Sequence, residues 1–136
     1  VIVGYPGETD EDFEATMQLM RDVQFDSAFM FIYSEREGTY AARRKPDDIP
    51  MDIKKSRLQR LIAQQESISK ARYSAQIGRK VEVLIQGPGR RDPTQIIGRT
   101  SDFKTTVMPG HLGSAGDMVE VEIVGATSHT LFGEVR

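Results

Sequence analysis

The sequence contains no cysteine among its 136 residues. That absence excludes a disulfide framework, a thiolate zinc site and a cysteine nucleophile. It also excludes an iron–sulfur cluster ligated by cysteines of this chain. Long apolar runs are missing as well. No stretch reaches the length of a membrane span, and no early basic-then-apolar segment reads as a signal peptide. The expectation is a cytoplasmic chain with no membrane partner. Excess charge of either sign is lacking: the formal net charge is −2. No global basic excess therefore announces a nucleic acid. The length suits one ordinary domain or two small ones, and 38% hydrophobic with 28% charged residues is a globular balance.

What is present changes character along the chain. Val1-Ile2-Val3 is a β-branched run stopped by Gly4-Tyr5-Pro6-Gly7, which reads as a buried strand entering a turn. Val1 is not Met and sits inside that run, so the chain reads as a fragment or a processed product. Thr9 with Asp12 three residues later resembles a capping box. Phe13, Met17, Met20 and Val23 then mark one helical face, and Ser27 to Tyr33 forms a second apolar strand. Strand, helix, strand with short connections predicts a βαβ unit and a parallel sheet. Ser34 to Pro50 is polar and reads as a loop. A long helix is predicted from Met51 to Tyr73, with Ile53, Leu58, Leu61, Ile62 and Ile68 as its apolar stripe. Lys54, Lys55, Arg57, Arg60 and Lys70 are expected on its solvent side.

From Arg79 the period becomes two, as in Val81, Val83 and Ile85. Gln95 to Thr100, Lys104 to Met108, Met118 to Val124 and Thr130 to Val135 are four further strands, punctuated by glycines. Five short strands in about sixty residues suit a small closed barrel of the OB-like kind. The expected fold class is an α+β chain in two parts, 1–72 and 73–136, the second a small antiparallel β-barrel. Bases at Arg79, Lys80, Arg90, Arg91, Arg99 and Lys104 precede an acidic segment in which only Arg136 opposes Asp117, Glu120, Glu122 and Glu134. A folded barrel is therefore expected to have a basic and an acidic side.

Four segments carry a family resemblance. VIVGYPGETDEDFEAT, FIYSEREGTYAA, LQRLIAQQESIS and GRTSDFKTTVMPG resemble, in order, segments of radical S-adenosylmethionine (SAM) methylthiotransferases. The last two are similar to the helix leading into their TRAM domain and to a strand pair of that domain in the MiaB-type branch, which acts on tRNA. Tyr5 stands where a Phe is usual, and Glu35 and Tyr40 where prolines are common. The resemblance implies that residues 1–72 are the remnant of a parallel, TIM-like radical SAM barrel and that 73–136 are a TRAM domain. It implies a parent that adds a methylthio group to N6-isopentenyladenosine near the anticodon. SAM and iron–sulfur clusters are cofactors of that parent, held partly by missing N-terminal domains. No bound cofactor is expected in this chain, which alone should be inactive. Relatives acting on a ribosomal protein or on threonylcarbamoyladenosine, and a non-catalytic RNA-binding module, are the alternatives.

The resemblance implies a SAM pocket lined by Val3, Gly4 and Pro6 and by backbone at Phe31 and Tyr33. It gives Arg36 a role in orienting SAM or tRNA, against an exposed ion pair with Glu37. In the barrel, Arg79, Lys80, Arg90, Arg91, Arg99 and Lys104 are candidates for phosphate contacts and Phe103 for base stacking. Each basic residue alone also fits a solvated face; together they point to RNA, with the anticodon stem–loop of tRNA as the partner. His111 and His129 have no second ligand at metal spacing, so no metal site is expected.

Overall fold

The computed structural model describes residues 1–135. It divides into two compact units, Val1–Ile68 and Ser69–Arg136. Arg136, counted above in the charge pattern, lies outside the described residues.

In the first unit, β1 (Ile2–Val3) pairs in parallel with β2 (Phe31–Ile32), and α1 (Asp10–Val23) connects them. The expected strand from Ser27 shrinks to two residues. Hydrogen bonds from the Phe31 and Tyr33 amides to the Val1 and Val3 carbonyls hold the pair. The capping box forms: the Asp12 amide donates to Thr9 Oγ1 at 3.1 Å, and the Thr9 amide donates to Asp12 Oδ2 at 3.0 Å. Phe13, Met17 and Met20 of α1 pack with Val3 and Leu61 into a small core. The stretch read as loop contains a short helix, α2 (Tyr40–Arg44), started by Thr39, whose hydroxyl accepts from the Ala42 amide.

Helix α3 (Met51–Ser74) has the expected bounds to within one residue but not the expected buried face. Leu61 and Ile68 are buried, whereas Ile53 and Ile62 are exposed. The buried stripe runs Lys54, Arg57, Leu61, Gln65, Ile68. It keeps helical spacing but mixes polar heads with apolar residues. Lys54 and Arg57, expected in solvent, are 1% and 6% exposed. Their charges are neutralised locally by Asp47, Glu8 and Asp10.

In the second unit, β3 (Lys80–Pro88), β4 (Gln95–Thr100), β5 (Thr105–Pro109), β6 (Met118–Ala126) and β7 (Leu131–Glu134) close a barrel in the order β3-β4-β5-β7-β6. The expectation of an antiparallel barrel needs one correction. β5 pairs with β7 in parallel, so the barrel is mixed. An odd number of strands cannot alternate in direction all the way round a closed ring, so one neighbouring pair of the five must be parallel, and here it is β5 with β7. Val83, Ile85, Ile96, Met108, Val121, Ile123 and Leu131 fill the interior with Tyr73 of α3. Gly133 lets β7 lie close to its neighbours, since a Cβ there would come within 2.6 Å of Val121 Cγ2. Register shifts at Ile85/Gly87 and Ile123/Gly125 bend β3 and β6. Among the described residues, no helix is long and apolar enough to cross a membrane.

Candidate nucleic-acid interface

Closing five strands into a small barrel fixes which loops become neighbours. The β3–β4 loop and the β6–β7 loop flank the outer faces of β4, β5 and β7, and both are held by local side chains. In the first loop, Thr94 donates from its amide and its hydroxyl to Asp92 Oδ1 at 2.9 and 2.6 Å. Those bonds keep the Asp92 carboxyl below its ordinary pKa. The Gly89 amide donates to the Gln95 carbonyl at 2.8 Å, closing the loop base beneath Arg90 and Arg91. In the second loop, Thr127 Oγ1 accepts from the amides of His129 and Thr130 at 3.2 and 3.0 Å.

Between them lies a cleft of about 640 Å³ whose lining includes Arg90, Arg91, Arg99, Gln95, His129 and Phe132. Three arginines and a histidine share this lining with one half-exposed aromatic residue, Phe132, and with Asp92. Guanidinium forks suit phosphate oxygens, and a ring face suits a splayed base. The adjoining hollow of about 300 Å³ shares Gln95 and Phe132 but is lined by Glu134 and no basic residue. The change from a mainly basic lining to one with a lone acid thus falls across β7.

The structure sorts the six expected basic residues into three groups. Arg90, Arg91 and Arg99 line the cleft. Arg79 and Lys80 do not: Lys80 stands opposite Glu122 and Glu82 opposite Glu120 on the β3–β6 seam. The basic and acidic segments are thus interleaved there rather than separated, because antiparallel pairing lays one against the other. Lys104 is corrected outright. It is 2% exposed, its Nζ pairs with Asp102 Oδ2, and it sits 5.7 Å from the centroid of the Tyr73 ring. A phosphate cannot reach it without opening the β4–β5 turn. Phe103 is 79% exposed at the tip of that turn and lies outside the cleft lining.

Two cleft residues escaped the sequence reading. Phe132 was legible in principle, since buried Leu131 and Gly133 put it on the outer face by alternation. His129 carried no such signal. Only barrel closure brings the β6–β7 loop beside Arg90.

In the first unit the expected SAM residues separate. Tyr33 and Arg36 line one hollow of about 310 Å³ with Tyr5 and Tyr40. The rings of Tyr5 and Tyr33 meet edge to face at 5.3 Å. The Tyr33 hydroxyl is buried without a hydrogen-bond partner, and burial raises its pKa. Val3, Gly4 and Pro6 are buried, and Phe31 is exposed on β2. Gly4, at φ +75°, makes room for protein: a Cβ there would sit 2.5 Å from Lys54 Cγ. Its amide donates to Glu8 Oε1 at 2.9 Å, and the same oxygen accepts from Arg57 Nη1 at 2.7 Å. Arg57 Nη2 donates to Asp10 Oδ1 at 2.8 Å. Lys54 and Arg57 therefore clamp the Gly4–Asp10 loop from α3.

Comparison with known proteins agrees with the motifs. Residues 74–135 match the TRAM domain family. The chain is 48% identical over its full length to tRNA-2-methylthio-N(6)-dimethylallyladenosine synthase of Desulfitobacterium hafniense, covering 30% of that protein. The synthases of the same name from Porphyromonas gingivalis and Moorella thermoacetica are 48% and 47% identical over 97% and 99% of this chain, which covers 28% and 30% of theirs. The chain thus spans about 30% of the length of the curated relatives it matches. The resemblance to methylthiotransferases with a TRAM domain is borne out along the whole chain.

Proposed function

We propose that this chain is the C-terminal part of a tRNA methylthiotransferase and that its barrel holds RNA in the cleft between the β3–β4 and β6–β7 loops. The observation that carries the RNA assignment is the convergence of Arg90, Arg91 and Arg99 on one concave surface beside Phe132. The relatives' name supports the substrate class proposed: a tRNA adenosine carrying a dimethylallyl (isopentenyl-type) group, which the family resemblance implies is presented on an anticodon stem–loop. A cytoplasmic site of action accords with that substrate.

Residues 1–72 are proposed as the end of a radical SAM barrel, and the parallel β1–β2 pair supports this reading. Residues 73–136 are proposed as the RNA-binding domain. The family implies iron–sulfur clusters, and this chain has no cysteine to hold one. Their ligands are expected outside this chain, and the chain alone is expected to be inactive. SAM fits better. The Tyr33 hydroxyl lacks a partner and Arg36 lines the same hollow, so both can take a polar group of the cofactor. SAM would supply the methyl group and, once reduced, the radical. Val3, Gly4 and Pro6 contribute by fixing the loop, and Phe31 through its backbone.

Titration of a labelled anticodon stem–loop at several salt concentrations tests the RNA assignment. Each phosphate contact on a single strand lowers log K by about 0.7 per unit log salt. Replacing Arg90 and Arg91 together by Ala should weaken binding and flatten that slope by about one to two contacts. Lys80→Ala should bind like wild type. Equal binding by the double variant, or loss confined to Lys80→Ala, overturns the cleft assignment.

A further inference from the structure

The turn joining β4 to β5 places an aromatic residue where the backbone disfavours one. The Phe103 amide donates to the Thr100 carbonyl at 3.0 Å, and the Thr100 amide donates to the Lys104 carbonyl at 3.1 Å. This is a three-residue hairpin whose last loop residue must be left-handed, a position that suits glycine. Phe103 occupies it at φ +67°. The turn cannot relax easily. Thr100 Oγ1 donates to Asp102 Oδ1 at 2.6 Å and accepts from the Lys104 amide at 2.9 Å, and the Lys104 ammonium pairs with the same carboxylate.

Packing does not explain the ring, because Phe103 is 79% exposed. A bulky residue at positive φ that buries little weakens the fold it belongs to. Its neighbour supplies the second observation. Arg99, which lines the cleft, donates from Nη1 to the Phe103 carbonyl at 3.0 Å. A strand held by its phosphates at Arg90, Arg91 and Arg99 is thereby led to the hairpin tip. An exposed aromatic ring on a hydrogen-bonded backbone turn, beside a cation, matches one nucleotide, base on ring and phosphate on guanidinium.

We infer that Phe103 is a fixed stacking platform for one unpaired base of RNA, with Arg99 joining this tip to the cleft; the inference rests on the RNA reading above. A base inside a duplex has no free face, so the ligand at the tip is a loop nucleotide.

The test uses the whole chain, an anticodon stem–loop and the variants Phe103→Asn, Phe103→Trp and Arg90→Ala/Arg91→Ala. Phe103→Asn relieves the backbone and removes the ring. Its thermal midpoint should equal or exceed that of wild type, while affinity falls about tenfold with the salt slope unchanged. Phe103→Trp should retain wild-type affinity. If Phe103→Asn binds like wild type while the double arginine variant is weakened, the tip inference fails and the cleft reading stands. If Phe103→Asn melts well below wild type, the ring is structural and the inference fails. If wild type binds no RNA at low salt, both readings fall together.

Discussion

Arg57 joins three parts of one loop. It bonds Glu8 through a carboxylate and a carbonyl oxygen, and Asp10 through a second nitrogen. Burial acts to lower its pKa, but the bonds to Asp10 and Glu8 outweigh it and the guanidinium stays charged. Removing one member of a buried pair strands the other, which costs about 3–5 kcal/mol. Glu8 keeps the Gly4 amide as a donor, so Arg57→Ala should sit near the low end, about 3 kcal/mol, by urea unfolding. A loss below about 0.5 kcal/mol, the size of an exposed pair, would contradict the clamp. Asp102 offers a pH test. Partial burial would raise its carboxyl pKa, yet hydrogen bonds from Lys104 and Thr100 carry it below the ordinary value. A depressed carboxylate stabilises the fold above its unfolded pKa, and that share is lost as pH falls through the folded pKa. The thermal midpoint of Asp102→Asn should therefore fall short of wild type at neutral pH, and the gap should close in acid. A gap independent of pH would contradict the assignment.

At the scale of elements, hydrophobic period and turn chemistry placed all five barrel strands within a few residues. Glycine punctuation and alternation such as Val83 and Ile85 inside, Leu84 outside, made them legible. The buried face of α3 was not legible. Lys54 and Arg57 carry the residue types of a solvent face, and only the acids of distant loops neutralise them. The parallel β5–β7 pair was hidden for a similar reason: strand existence is local, whereas pairing direction belongs to the closed barrel. Element length also sets local stability. β1 and β2 have two residues each, and Ile2 and Phe31 are exposed. Hydrogen exchange should protect the amides of Val83, Ile85, Val121 and Ile123 longer than those of Phe31 and Tyr33. Equal protection would mean that the parallel pair has a stabilising cover of its own.

At the scale of the molecule, the candidate site depends on closure more than on composition. A net charge of −2 conceals a cleft lined by three arginines, because Glu120, Glu122 and Glu134 gather on β6 and β7. Arg90, Arg91 and Arg99 were readable as residue types, but their company with His129 and Phe132 emerges only when five strands meet. The central claim is that RNA occupies this cleft, and amide chemical shifts of the isotopically labelled chain test it most directly. Titration with an anticodon stem–loop at low salt should move the amides of Arg90 to Asp92, Thr94, Arg99, and Thr127 to Phe132. Shifts confined to Lys80, Glu82, Glu120 and Glu122 on the β3–β6 seam, or no shifts at all, would contradict it.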